Sequence, residues 1–159
     1  MAKLDKVDKQ ILSLIQQNGR ISNAKLANAV SMSETPCWRR LKRLEEEQII
    51  TSYQANLDRR RMGFGVMAFV QISCTSHDEE STLEFERIIA NSEYVLACHN
   101  TTGEADFMLQ VVAKDLDDYS RFVEQSLRKL PGVSAIRSNI SLREVKSSSR
   151  LPIDFSTYE

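Results

Sequence analysis

The sequence predicts an α+β chain in two parts: an N-terminal winged helix-turn-helix of three helices and a C-terminal ferredoxin-like β-α-β-β-α-β domain. Three observations predict it. Up to Glu47, apolar residues recur at helical spacing in three short runs separated by turn residues. The eleven residues 33–43 open on small polar side chains and then carry four cations in five positions, Arg39, Arg40, Lys42 and Arg43. From Phe64 onward, β-branched and aromatic runs alternate with amphipathic stretches in the order strand, helix, strand, strand, helix, strand.

Leu4 to Gln17 is the first helix, with Leu4, Val7, Ile11, Leu14 and Ile15 at helical spacing and Gly19 in the position a C-cap prefers. Ser22 or Asn23 caps the second, whose inner side is Ala24, Leu26, Ala27 and Val30. Ser31, Met32 and Ser33 form a short turn, with Met32 plugging the small core. The third helix starts at Ser33, or at Thr35 with Pro36 in the first helical position, which suits proline. Cys37, Leu41 and Leu44 recur at i, i+4 and i+7 and face inward; Thr35, Arg39, Lys42 and Arg43 face outward, with Trp38 and Arg40 on opposite flanks.

Short helix, turn, basic helix is the helix-turn-helix order, and its partner is double-stranded DNA. The start of the third helix, around Pro36, enters the major groove. There Ser33, Thr35, Trp38 and Arg39 reach base edges, while Arg40, Lys42 and Arg43 suit phosphates. An ordinary solvated charged helix is the plain alternative, and the acid-free run from Thr35 to Arg43 argues against it. Residues 49–57 read as a wing or linker strand. The basic hinge 58–63 follows, where Arg59 to Arg61 add phosphate contacts or simply solvate a linker.

In the second part, residues 64–75 are a strand and Asp78 to Ala90 a helix with Leu83, Ile88, Ile89 and in part Phe85 as its apolar set. Tyr94 to Asn100 and Asp106 to Ala113 are strands joined by a hairpin turn. Asp115 to Leu130 is a helix with Leu116, Tyr119, Phe122, Val123, Leu127 and Leu130 on one stripe, stopped by Pro131-Gly132. Val133 to Val145 alternates as the last strand. The first strand is apolar on both sides, with Val66, Ala68, Val70 and Ile72 against Met67 and Phe69. The sheet face away from the helices therefore needs cover, and dimerisation across it is the expectation.

Composition narrows the class. The 159 residues are 42% hydrophobic and 27% charged, which is globular. Residues 1–62 hold twelve Lys/Arg against seven Asp/Glu, and residues 63–159 hold nine against fifteen. One part meets a polyanion and the other does not. No apolar run approaches a membrane span, and the first residues lack a signal-peptide h-region. Cys37, Cys74 and Cys98 show neither disulfide nor metal spacing, so a reduced cytoplasm is expected, with the protein associated with the nucleoid. His77 and His99 are isolated, there is no Gly-rich phosphate loop, and no catalytic set, metal site or cofactor is expected. The turn Thr101 to Asp106 offers two hydroxyls, a glycine and two carboxylates. Its backbone donors suit a carboxylate and Asp106 an ammonium, the two groups of a free amino acid.

These motifs together resemble the Lrp/AsnC (leucine-responsive, or feast/famine) transcriptional regulators. The matching segments run end to end: Leu4-Asp-x-x-Asp8 with Ile11-Leu12, Asn18 to Ser22, Ser33-x-Thr-Pro-Cys37, Arg40-Leu-x-x-Leu44-Glu45, Thr102-Gly103-x-x-Asp106, Leu130-Pro-Gly-Val133 and Glu144-Val-Lys146. The resemblance implies a small amino-acid effector held between effector domains of neighbouring dimers, and a homodimer that assembles to an octamer, a tetramer of dimers. It implies a pocket drawn from Asn100, Thr102, Gly103 and Asp106, completed by Leu116, Asn139 and Ile140. Ala105 stands where relatives often carry an aromatic or larger residue, and Trp38 where leucine is common. The expected boundaries are residues 1–62 for the DNA-binding domain, 63–147 for the effector and oligomerisation domain, and 148–159 for a tail. An architectural, nucleoid-type DNA binder without an effector is the rival reading; an enzyme is disfavoured by the missing catalytic cluster.

Overall fold

The structure is a computed structural model that describes residues 4–75 and 78–155; His77 lies outside the described residues. Contacts divide the chain into Met1–Asn56 with Lys146–Glu159, and Leu57–Val145. The linker after Asn56 thus groups with the second unit, and the tail with the first.

The first unit holds three helices: α1 (Lys6–Gln17), α2 (Asn23–Ala29) and α3 (Glu34–Glu46). Asp5 caps α1 in a capping box with Asp8, so the helix starts two residues after Leu4. Its exit differs from the expected glycine cap. Asn18 is the C-cap in extended conformation, and its side chain accepts from the Arg20 N–H. Ser22 caps α2, accepting from the Lys25 N–H. Leu26, Ala27 and Val30 are buried, whereas Ala24 is exposed because it lies on the other flank of this short helix. The turn into α3 uses Ser31 in the left-handed region at φ 55°, and Met32 packs on the core as expected. Ser33 occupies the N-cap of α3, placing Pro36 third in the helix.

No strand forms over 49–57 among the described residues. Instead the Ile49 and Ile50 N–H groups both donate to the Leu44 carbonyl, closing α3. Their side chains pack on the helical core, and the Tyr53 hydroxyl donates to Glu45 Oε1 at 2.7 Å. Ile49 and Ile50 spend their N–H groups and side chains locally, and residues 51–57 are exposed with no strand beside them among the described residues.

The tail returns to α1. The Gln16 amide grips the Leu151 backbone at both ends, accepting from its N–H at 2.7 Å and donating to its carbonyl at 3.2 Å, and Lys9 Nζ donates to the Asp154 carbonyl at 2.6 Å. Gln16→Ala is expected to cost the first unit about 1 kcal/mol or less, since these bonds are exposed. Hydrogen exchange checks it: protection of the Leu151 amide should vanish while the Ile11 and Ile15 amides keep theirs.

The second unit is a four-stranded antiparallel sheet in the order β2-β3-β1-β4, with β1 Val66–Cys74, β2 Val95–Asn100, β3 Phe107–Ala113 and β4 Val133–Ile140. Helices α4 (Glu79–Ala90) and α5 (Leu116–Gln125) cover one face. Ala68, Val70 and Ile72 of β1 and Leu109 and Val111 of β3 point into that core and are fully buried. This is the ferredoxin-like arrangement. Gly65 is required at its position: a Cβ there would meet the Lys114 carbonyl oxygen at 2.8 Å.

Three details depart from expectation. Phe85, expected half in, is fully buried and stacks on Phe107 with ring centroids 4.4 Å apart, while Leu83 is exposed. Phe85 and Ile89 therefore form the inward i, i+4 pair of α4. The last helix ends at Gln125 and continues only as a 3-10 turn over Leu127–Lys129. β4 stops at Ile140, leaving Leu142 92% and Val145 82% exposed without a pairing strand. Among the described residues no helix is long and apolar enough to cross a membrane.

Candidate nucleic-acid interface and effector site

At roughly 100° per residue, Thr35, Trp38, Arg39 and Lys42 fall in one outward sector of α3. All four are exposed, opposite the buried Cys37 and Leu44. Ser33 and Pro36 are exposed at the helix start. Lys42 lies over the Trp38 ring at 5.3 Å and near Glu46 at 3.5 Å, a loose, solvent-exposed pairing. Among the described residues Arg39 has no ion-pair partner.

Arg40 and Arg43 are different. Arg40 Nη1 donates to Asp5 Oδ2 at 2.5 Å and to Asp8 Oδ1 at 2.9 Å, and Arg43 Nη2 to Asp8 Oδ2 at 2.6 Å. Arg43, expected to point outward with Arg39, is thus turned onto α1. Asp8 is 1% exposed. Burial raises the Asp5 carboxyl, but the Asp8 N–H and the Arg40 guanidinium outweigh it and hold the group below the usual carboxylate range. Sequence reading misses both acids as parts of this surface. The signal is present, because Asp8 stands on the same stripe as the buried Ile11 and Ile15.

In the second unit the loop 101–106 closes on itself: the Thr101 hydroxyl donates to the Ala105 carbonyl at 2.9 Å and the Thr101 N–H to the Asp106 carbonyl. Gly103 has φ 128°, and a Cβ placed on it would meet nothing within 4 Å, so this glycine serves the backbone turn and not a tight fit. Thr102 and Gly103 are exposed. Asp106 is half-buried, and its Oδ2 accepts from the Cys74 N–H at 2.7 Å, so it also anchors the loop to the end of β1. Burial, with the Asp106 charge, pushes the Cys74 thiol up, away from the reactive thiolate.

The seven expected effector residues do not gather in one chain. Asn100, Thr102, Gly103 and Asp106 sit at the Ile72–Cys74 end of β1. Leu116 follows Ala113, which pairs with Val66 at the other end of the sheet, while Ile140 pairs with Ala68 and Asn139 with Phe69, toward the middle of β1. Leu116 lies beyond a point six residue steps along β3 from Phe107, roughly 20 Å from the loop, whereas Ile140 and Asn139 register only four and three steps away, roughly 13 and 10 Å. Asn139 and Ile140 also point to opposite faces, as neighbours in a strand must.

Two clefts flank the loop. One of about 270 Å³ lies on the helix side, lined by Cys74, Ser81, Thr82, Phe85, Asn100 and Phe107 among others. The other, about 350 Å³, lies on the open sheet face and is lined by Gln71, Ser73, Glu104, Ala105, Ala135 and Arg137. Arg137 and Glu104 pair there at 3.2 Å. Apart from the loop itself, the open-face lining comes from β1 and β4 positions that only strand register brings together, and nothing local in the sequence marks them.

Comparison with known proteins agrees with this architecture. A family model described as the Lrp/AsnC ligand binding domain matches residues 67–151, and one described as winged helix-turn-helix DNA-binding matches residues 4–51. The chain is 39% identical over 153 residues to the Bkd operon transcriptional regulator of Pseudomonas aeruginosa, covering 96% of this chain and 100% of that one. It is 33% identical over 150 residues to the leucine-responsive regulatory protein of Escherichia coli, covering 94% and 92%. A Neisseria meningitidis transcriptional regulator crystallised with L-methionine superposes with a TM-score of 0.92 at 35% identity, over 96% of this chain and 98% of that one. With helix-turn-helix, ferredoxin-like sheet and near full-length similarity in agreement, the chain belongs to the Lrp/AsnC family and is a DNA-binding transcriptional regulator with a C-terminal ligand-binding domain.

Proposed function

We propose that an amino acid tunes this regulator by binding between two chains, with Asn100, Thr102, Gly103 and Asp106 supplied by one and Leu116, Asn139 and Ile140 by another. The observation that carries this is the distance of Leu116 from the loop, about the length of the sheet. One amino acid cannot span it, so a site using both groups needs two copies. Asp106 suits an α-ammonium and the loop N–H groups a carboxylate. The L-methionine complex of the meningococcal regulator and the leucine response named for the enteric one support the ligand class. Ala105 leaves the open-face cleft unfilled beside the loop, so the side chain that fits best here is set by this chain's own lining.

A homodimer formed across the open sheet face, built up to an octamer, supplies the apposed ends. Exposed Phe69 (43%) and the uncovered Leu142 and Val145 favour that burial. Coupling then follows from different affinity of the effector for two assembly or DNA-binding states. In this reading Thr35, Trp38 and Arg39 meet base edges and Lys42 a phosphate, with two heads per dimer in successive major grooves, and the protein works on the nucleoid in the cytoplasm.

The test is binding to duplex from the region upstream of its own gene and to random duplex, with and without each of the twenty amino acids. Preferential binding to the upstream duplex, changed by one or a few amino acids, is expected. Preference that no amino acid alters would sink the effector site, and equal affinity for both duplexes would favour an architectural DNA binder.

A further inference from the structure

The four cations of α3 are not equivalent, and the difference originates on α1. Asp8 is a fully buried carboxylate. Such a group is held in a protein interior only when it is paired and hydrogen-bonded. Its two oxygens are spent on Arg40, Arg43 and the Asp5 N–H. Asp5 in turn accepts from the Asp8 N–H and from Arg40, so two acids face two guanidiniums and the cluster is neutral. Arg40 and Arg43 are only 31% and 42% exposed, and Arg43 Nε is buried without a hydrogen-bond partner among the described residues, so this guanidinium is committed inward even at a cost.

We infer that Asp8 is a positioning residue for DNA binding: it withdraws Arg40 and Arg43 from the phosphate-contacting set and fixes the rotation of α3, so that Arg39 and Lys42 are the recognition-helix cations delivered to DNA. Moving Arg43 to a phosphate would strip a buried carboxylate of a partner, a larger loss than one solvent-exposed contact returns. Arg39 and Lys42 face no such exchange, because among the described residues neither pairs with a buried acid. The acid also matters for discrimination. A helix with four unpaired cations gains most from phosphates, which are the same on every sequence, whereas pairing two of them shifts the balance toward base-edge contacts by Thr35, Trp38 and Arg39.

The inference rests on the DNA-binding reading, and the salt dependence of binding separates the two. The full chain is titrated against a roughly 40-bp random-sequence duplex from about 50 to about 300 mM KCl, where log K falls linearly with log salt. Wild type that binds without salt dependence, or not at all, sinks the DNA-binding reading and the inference with it. Given a wild-type slope on random duplex, where Arg39 has no matching base edge and meets phosphate instead, Arg39→Gln should make it shallower by about 0.9 per bound head. Arg43→Gln should leave the slope within error and lower the thermal midpoint of the first unit. A loss of slope in Arg43→Gln equal to that in Arg39→Gln overturns the inference. Asp8→Asn keeps the shape and frees Arg43 while Arg40 retains Asp5, so the slope should steepen by about 0.9 per bound head and random-duplex affinity should rise severalfold. A purely structural acid would not steepen it, and a folded Asp8→Asn with an unchanged slope overturns the inference too. Should Asp8→Asn fail to fold, the comparison of Arg39→Gln with Arg43→Gln decides alone.

Discussion

Phe85→Ala is expected to destabilise the ligand-binding unit by about 3–5 kcal/mol, a large share of the roughly 5–15 kcal/mol that holds an ordinary domain together. Phe85 is 1% exposed, stacks on Phe107 and sits where α4 meets the sheet. Truncation loses the transfer energy of the ring, the aromatic contact and the packing around the space left behind. Leu83, two residues earlier on the same helix, is 59% exposed, and Leu83→Ala should stay within about 0.5 kcal/mol. Denaturant unfolding reads the two units separately. The single tryptophan, Trp38, lies in the first, while Tyr94, stacked on Phe122 at 5.0 Å, gives a near-ultraviolet signal for the second. Phe85→Ala should lower the midpoint of the tyrosine signal and leave the tryptophan transition in place. A cost below about 1 kcal/mol would mean that α4 is not anchored by this ring.

The Phe85–Leu83 contrast shows where local pattern runs out. Helical periodicity finds α4, but with Leu83, Phe85, Ile88 and Ile89 spread round the helix it does not say which pair faces the sheet. Phe107, reached only through a strand pairing, decides it. The same holds for the basic helix. Periodicity places Arg39 and Lys42 outward and Cys37 and Leu44 inward, and the structure agrees. It puts Arg40 on a flank and Arg43 outward and gives neither a partner, because Asp5 and Asp8 stand more than thirty residues away. An acid on the buried stripe of α1 is the cue that a cation must meet it. The strand expected over 49–57 fails for a simpler reason: β-branched composition favours a strand only where a neighbouring backbone is on offer, and Ile49 and Ile50 fold back onto Leu44. The sheet order and the two covering helices follow from the alternation of strands and helices after Phe64, whereas the split between the loop residues and Leu116, with Asn139 and Ile140 between them, needs the register.

That split gives the second large effect, complementation between two defective chains. Asp106→Asn retains an acceptor for the Cys74 N–H, so the loop stays anchored while the charge for an ammonium is lost. Leu116→Arg places a bulky cation on a 61% exposed helix position at the other end of the sheet, which the fold tolerates. Alone, each variant is expected to lose amino-acid binding by about tenfold or more, because a charge-assisted hydrogen bond or an apolar wall is missing from every site. Mixed in equal amounts and allowed to exchange subunits, they should recover about a quarter of the wild-type sites, since a site taking its loop from one chain and its opposite wall from another is intact in one of four random pairings. Calorimetry of the mixture, with the amino acid selected in the DNA-binding screen, gives that number directly. A site built within one chain recovers nothing on mixing, because every chain carries one of the two defects. Recovery near a quarter would therefore locate the pocket between subunits and bind its occupancy to the assembly state, the two-state element on which an effector can act to change DNA affinity.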